Sequence, residues 1–248
     1  MRCSGVIADT GNTSPSASYA TTPVPSALPR SGFFEREQYG GVMTHLPAAL
    51  QPVIAFAYVT GWRIDSEVLP LEWRQVDFNA AEVRLDAGTT KNGEGRVFPF
   101  TADLRAVLKA QHAEHERLKK AGHICRFVFF REIADGRGGE KKPQPIVSLN
   151  KAWKAACRAA GCPGRIPHDL RRTAVRNLVR AGISKSVAME LTGHKTASVF
   201  DRYNITSGND LKSAAQLLDI AATRAAARWS LTPTDSDLSR RPRKRGRR

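Results

Sequence analysis

A chain of 248 residues, 41% of them hydrophobic, can bury one sizeable core. Lys and Arg number 39 against 23 Asp and Glu, a net charge of +16, and such an excess suits a polyanionic partner such as nucleic acid while saying nothing about the fold. The longest apolar stretch, Pro52 to Thr60, is too short to span a bilayer, no basic-then-apolar leader opens the chain, and the four cysteines (Cys3, Cys125, Cys157, Cys162) contain no Cys-x-x-Cys pair, so the chain reads as soluble and cytoplasmic with no metal site.

In chain order, residues 1–32 are dominated by Ser, Thr, Ala, Gly and Pro and are predicted to be disordered, because they hold too little apolar surface to offset the entropy of ordering. A folded domain is expected over residues 33–225. Phe33 to Tyr39 begins a helical pattern, Ala48 to Thr60 makes a buried helix stopped by Gly61, and Ile64 to Leu69 makes a short helical turn that Pro70 ends early. Gln75–Phe78, Glu82–Leu85 and Arg96–Phe100 read as three short strands split by Asn79-Ala80 and by the Gly88 to Gly95 turn cluster. Thr101 then caps a long helix to about Ala121. Between Arg126 and Pro145 neither period dominates, and no element is assigned.

Four helices follow, at Asn150 to Ala160, His168 to Ala181, Lys185 to Leu191 and Thr196 to Tyr203, the first three closed by Gly161, Gly182 and Gly193. An alanine-rich helix from Asp210 to about Trp229 comes last. Residues 226–248 are predicted to be a disordered basic tail; Arg240 to Arg248 hold seven cations and no acid. The fold class is therefore α+β, mainly α-helical, with one small three-stranded antiparallel sheet.

Several residues could carry chemistry as a set. Arg63 stands in Thr60-Gly61-Trp62-Arg63-Ile64-Asp65-Ser66-Glu67, just past a helix stop, with Glu67 four residues on and able to hold its side chain. Lys91, in Thr89-Thr90-Lys91-Asn92-Gly93, projects from a turn between strands and taken alone is an ordinary surface lysine. His168 and Arg171 share one face of a helix that begins after Pro167, beside first-turn N–H groups that favour anions. His194 follows Thr192-Gly193, and Tyr203 lies nine residues further on. Two arginines, a lysine, two histidines and a tyrosine supply what phosphoryl transfer without a metal needs: fixed cations for the phosphate, an attacking hydroxyl and a proton for the leaving oxygen.

In order and rough spacing, Thr60-Gly61-x-Arg63-x-x-x-Glu67, Lys91, His168-x-x-Arg171, Leu191-x-Gly193-His194 and Tyr203 resemble the tyrosine recombinases, the phage integrases and their relatives. The resemblance spans roughly residues 33–225. It implies a catalytic domain in which Tyr203 attacks the scissile phosphate of double-stranded DNA, holds the 3′ end as a phosphotyrosine and releases a 5′-hydroxyl, with no cofactor. Arg63 and Arg171 look like the clamp on the non-bridging oxygens, Lys91 like the general acid, His168 and His194 like phosphate-contacting groups that help move the proton, and Glu67 like the orienter of the first arginine. The same likeness implies a homotetramer on DNA, with the C-terminal helix docking on a neighbour.

Family members carry an N-terminal helical core-binding domain that the first 32 residues are too short to form, so weak recombination by this chain alone is expected. A type IB topoisomerase uses a similar residue set to relax one duplex. A non-catalytic DNA-binding remnant is the alternative from another class.

Overall fold

A computed structural model describes residues 32–88, 93–134, 139–203 and 208–230. Lys91 and most of both predicted disordered ends lie outside the described residues. Among the described residues are helices α1 (Arg36–His45), α2 (Gln51–Thr60), α3 (Ala102–Lys120), α4 (Asn150–Ala159), α5 (His168–Arg180), α6 (Lys185–Thr192), α7 (Ala197–Asp201) and α8 (Gly208–Ser230), together with an antiparallel sheet of β1 (Val76–Asp77), β2 (Glu82–Leu85) and β3 (Arg96–Pro99). The predicted fold class and order of elements agree with this arrangement.

Helix α2 is apolar on most sides because it is central: Val53, Ile54, Phe56 and Ala57 are buried, and the helix packs on both α3 and α5. Phe56 meets Trp62 and Phe129 edge-on at 5.6 and 5.5 Å. From the sheet, Val83, Leu85 and Phe98 point into the same core, and Val83 pairs with Val76 on one side and Phe98 on the other. Thr101 Oγ1 accepts the Leu104 N–H at 3.2 Å and caps α3, whose Leu104 and Leu108 are buried in the same core.

Gly61 ends α2 in the left-handed conformation (φ +65°). A Cβ there would lie 2.9 Å from Ala174 Cβ and 3.3 Å from Thr192 Cγ2, so the absence of a side chain also lets α5 and α6 approach the end of α2. Beyond it, Ile64–Val68 forms a single π-helical turn, closed by the Val68 N–H on the Arg63 carbonyl at 3.1 Å.

Two expectations need correction. The unassigned stretch holds a second antiparallel sheet, β4 (Phe130–Ala134) with β5 (Lys141–Pro145), where Phe130 pairs with Pro145 and Arg131 with Gln144. Its second strand, Lys-Lys-Pro-Gln-Pro, has no apolar alternation to read, and its prolines are tolerated because an edge strand leaves one row of donors unused. The helical pattern expected from Phe33 is extended chain up to Glu35: Gly32 is buried against the Asp169 carboxylate, and α1 begins only at Arg36, capped reciprocally by Glu35 and Gln38. Helix α8 runs from Gly208 to Ser230, in line with the alanine-rich helix expected from Asp210 to about Trp229.

The extended residues before α1 are strapped to α5. Phe34 donates its N–H to Thr173 Oγ1 at 2.9 Å and inserts its ring edge-on to Trp153 at 5.6 Å; Arg176 donates to the Phe34 carbonyl at 3.1 Å and to Glu35 at 2.8 Å. Gly61→Ala is expected to destabilise the protein by about 2–4 kcal/mol, from a left-handed alanine plus the clash with Ala174. Chemical denaturation checks it, and a loss under about 0.5 kcal/mol, the range of neutral surface substitutions, would show that α5 and α6 yield freely there.

Candidate active site

Three helix junctions that carry the sequence motifs meet in space, two of them at a glycine and one at a proline. Gly61 places Arg63 at the start of the π turn, Pro167 precedes His168 at the start of α5, and Gly193 (φ +68°) turns the chain from α6 to His194. Trp62 joins the first junction to the third by donating its indole N–H to the Leu191 carbonyl at 3.0 Å. The result is an open cleft of about 200 Å³ lined by Arg63, Ser66, His168 and Arg171 among others.

Arg63 is held twice by Glu67: its backbone N–H donates to Oε2 and Nη1 donates to Oε1, both at 2.7 Å. Its side chain remains 26% exposed, so part of the guanidinium faces the cleft. Arg171 is almost fully buried; Nη1 donates to the Gly61 carbonyl at 2.6 Å, and Nη2 lies 3.2 Å from His194 Nε2. Burial, then the nearby Arg63, lowers its pKa to about 10, which leaves it charged at neutral pH.

The two histidines are held neutral. Burial first, then Arg171, Arg63 and Arg96, brings His194 down to about 3; burial, then Arg171 and Arg172, puts His168 below its ordinary value. The tautomer of His194 follows from its neighbour. Thr192 Oγ1 lies 2.6 Å from the Ala188 carbonyl, a separation two acceptors adopt only with a proton between them, so the hydroxyl's lone pairs face His194 Nδ1 at 2.7 Å and the ring proton belongs on Nδ1. Nε2 is then free to accept from Arg171.

Tyr203 follows α7, whose Phe200 is buried against Val175 of α5 and Ala188 of α6. The hydroxyl of Tyr203 lies 2.9 Å from His168 Nε2, and its ring sits 5.2 Å from His194, with the Arg172 guanidinium 5.7 Å from its centre. A neutral imidazole at that distance can accept the phenolic proton. The geometry sets a phenolic hydroxyl beside a neutral imidazole, with guanidinium groups close by.

Of the six residues singled out in the sequence, Arg63, His168, Arg171, His194 and Tyr203 converge; Lys91 lies outside the described residues, in the segment that joins β2 to β3. Two contributors escaped the sequence reading. Arg96 is buried on β3 and donates to Glu67 and to the Thr192 carbonyl, and Thr192 fixes the His194 ring. Arg96 left a signal: β3 alternates buried and exposed, which puts an arginine on the inward face beside Phe98. Thr192 left none, since a threonine at a helix end is commonplace.

The model of the phage integrase family matches residues 35–209. Among curated relatives, the integrase of Salmonella phage P22 is 30% identical over 173 residues, 68% of this chain and 42% of that protein; tyrosine recombinase XerD of Mycobacterium tuberculosis is 28% identical over 165 residues, 64% of this chain and 49% of its own. The chain thus spans less than half the length of these relatives. Solved structures of similar fold include XerA recombinase (TM-score 0.59, 14% identity, 79% of this chain and 66% of that one) and a lambda integrase(75-356) dimer bound to a COC' core site (TM-score 0.54, 19% identity, 76% and 64%). Sequence family and fold agree: the chain belongs to the phage integrase family, the tyrosine recombinases, and carries their catalytic-domain fold.

Proposed function

We propose that this chain cuts and rejoins double-stranded DNA in site-specific recombination, through a covalent bond to Tyr203. The observation that carries the reading is the Tyr203 hydroxyl 2.9 Å from the Nε2 of a histidine held neutral, beside Arg63 and Arg171. In the proposed step Tyr203 Oη bonds to phosphorus as His168 takes its proton, and the bond from phosphorus to the 5′ oxygen breaks. Lys91 gives that oxygen a proton, so the products are a 3′-phosphotyrosine and a 5′-hydroxyl. The ester conserves the bond energy, and a second 5′-hydroxyl reverses the step on another strand.

Arg63 and Arg171 neutralise the non-bridging oxygens; their planar forks suit two oxygens at once, as an ammonium does not. An arriving phosphate draws Arg171 off the imidazole of His194 and favours a proton on Nε2, which turns that nitrogen from acceptor to donor. For partners, the net charge of +16 supports duplex DNA, and one solved neighbour is described as XerH site-specific recombinase bound to difH substrate. A homotetramer on DNA is supported by α8, whose Leu211, Leu217 and Leu218 are 63–71% exposed and leave an apolar face for a second copy.

The first test is trapping. Incubation with nicked duplex DNA in EDTA, followed by SDS, should yield a protein–DNA adduct with the wild type and none with Tyr203→Phe; no adduct from the wild type would leave only DNA binding. Arg63→Lys and Arg171→Lys are each expected to slow adduct formation about 10²–10³-fold, the usual cost of one lost charge-stabilising contact, and wild-type rates would remove them from the clamp. The pH profile carries a sign. His168 must be neutral to act, and its pKa lies below the ordinary 6.5, so the single-turnover rate should stay level as pH falls through 6.5 and drop only below it. An acid limb centred above 6.5 that vanishes in His168→Gln would contradict a base kept neutral by burial.

A further inference from the structure

Strand β3 turns an arginine toward the core, and its bonds reach two walls of the cleft, Glu67 beside Arg63 and Thr192 before His194. Arg96 Nη2 donates to Glu67 Oε1 at 3.0 Å and Nη1 to Oε2 at 3.3 Å, while Nη1 also donates to the Thr192 carbonyl at 3.0 Å. Each oxygen of Glu67 thus serves both arginines, since Arg63 takes the same two from the other side. Gly193 makes room for this: a Cβ there would sit 2.1–2.4 Å from the Arg96 guanidinium. The glycine before His194 has two reasons to be one, its positive φ and the cation it lies against.

We infer that Arg96 is a positioning residue for strand cleavage, tying the arm that carries Arg63 to the turn that carries His194 so that the groups facing the phosphate keep one spacing. The inference rests on the reading of the cleft as a strand-cleavage site. Arg96 itself does not reach the substrate, with 5% of its side chain exposed. Packing alone does not call for it, because an apolar residue fills an inward sheet position at no desolvation cost and a buried ion pair is weak evidence for stability. A planar fork is needed to hold a carboxylate and a carbonyl together, and only a guanidinium supplies one.

The test compares full-length wild type, Arg96→Gln and Arg96→Lys, with adduct formation measured in single turnover well below each melting temperature. A displacement of about 1 Å at the reacting groups costs about 10²-fold, so Arg96→Gln is expected to lose about that much while binding the duplex as the wild type does. Arg96→Lys, which keeps the charge and loses the fork, should recover only a small part. A second readout needs no DNA: NMR titration of the His194 ring. That ring is faced by Arg171 and His168 from α5, Arg63 after α2, Arg96 from β3, Thr192 from α6 and Tyr203 after α7, so removing one cation should raise its pKa.

A rate within about threefold of wild type in both variants, with the His194 titration unmoved, overturns the inference, the difference being under about 1 kcal/mol. Should Arg96→Gln not fold, Arg96→Lys decides alone: a slower rate at unchanged melting temperature supports the tie, and a wild-type rate removes it. If the wild type forms no adduct, strand cleavage fails as the reading of the site, and the His194 titration still shows whether Arg96 reaches that turn.

Discussion

The Glu67 carboxylate has no exposed surface, and removing such an ion from water costs several kcal/mol unless partners of opposite charge restore it. Arg63 and Arg96 do so from two sides, and the Arg63 backbone N–H adds a third donor. This cluster determines where the cleft's cations can stand. Arg63 cannot swing into solvent without leaving half of a buried pair behind, so its exposed edge is presented in one direction. Arg96 extends the constraint to the end of α6, and through the Thr192 residue to the ring of His194.

The backbone prepares the same place. Three helix junctions meet around the cleft, and two of them are left-handed glycines with other elements packed against the space a Cβ would fill. Helix ends carry unpaired carbonyls that must find donors, and here side chains of the site supply them: Arg171 for Gly61, Trp62 for Leu191 and Arg96 for Thr192. The satisfaction of helix ends and the orientation of functional groups are therefore one network. A change at a junction glycine reaches both.

Crowding cations have a cost in the free protein and a use in the occupied one. Burial first, and then the neighbouring arginines, lower the pKa values of Arg96, Arg171, His194 and His168, and in the proposed reaction this leaves His168 able to accept a proton from Tyr203. In that reaction an anion in the cleft relieves the repulsion, so the arginine charges that add to burial in lowering the histidine pKa values are the charges that favour a phosphate. Preorganised charge of this kind needs no rearrangement at the moment of reaction. The strap of Phe34 and Glu35 across α5 adds rigidity to the helix that carries His168 and Arg171.

Most of the fold was legible because it rests on local rules, and five of the candidate site residues that the structure brings together were legible only as a set, in order and spacing along the chain. Helix stops at Gly61 and Gly193, the Thr101 cap, the alternation of β2 and β3, and the three-residue spacing of His168 and Arg171 are set by nearest neighbours along the chain. Pairing across the chain was not legible. Arg96 finds Glu67 at a separation of 29 residues and Thr192 at 96, and Arg171 finds Gly61 at 110; such partners are chosen by how α2, α5, α6 and β3 pack. The hairpin of β4 and β5 escaped for a related reason, since an exposed edge strand carries no apolar period. Residue types and their order belong to the sequence, because chemistry needs particular groups. Which nitrogen of His194 holds its proton, and which arginine holds Glu67, only the tertiary structure decided, because burial and distance set those energies.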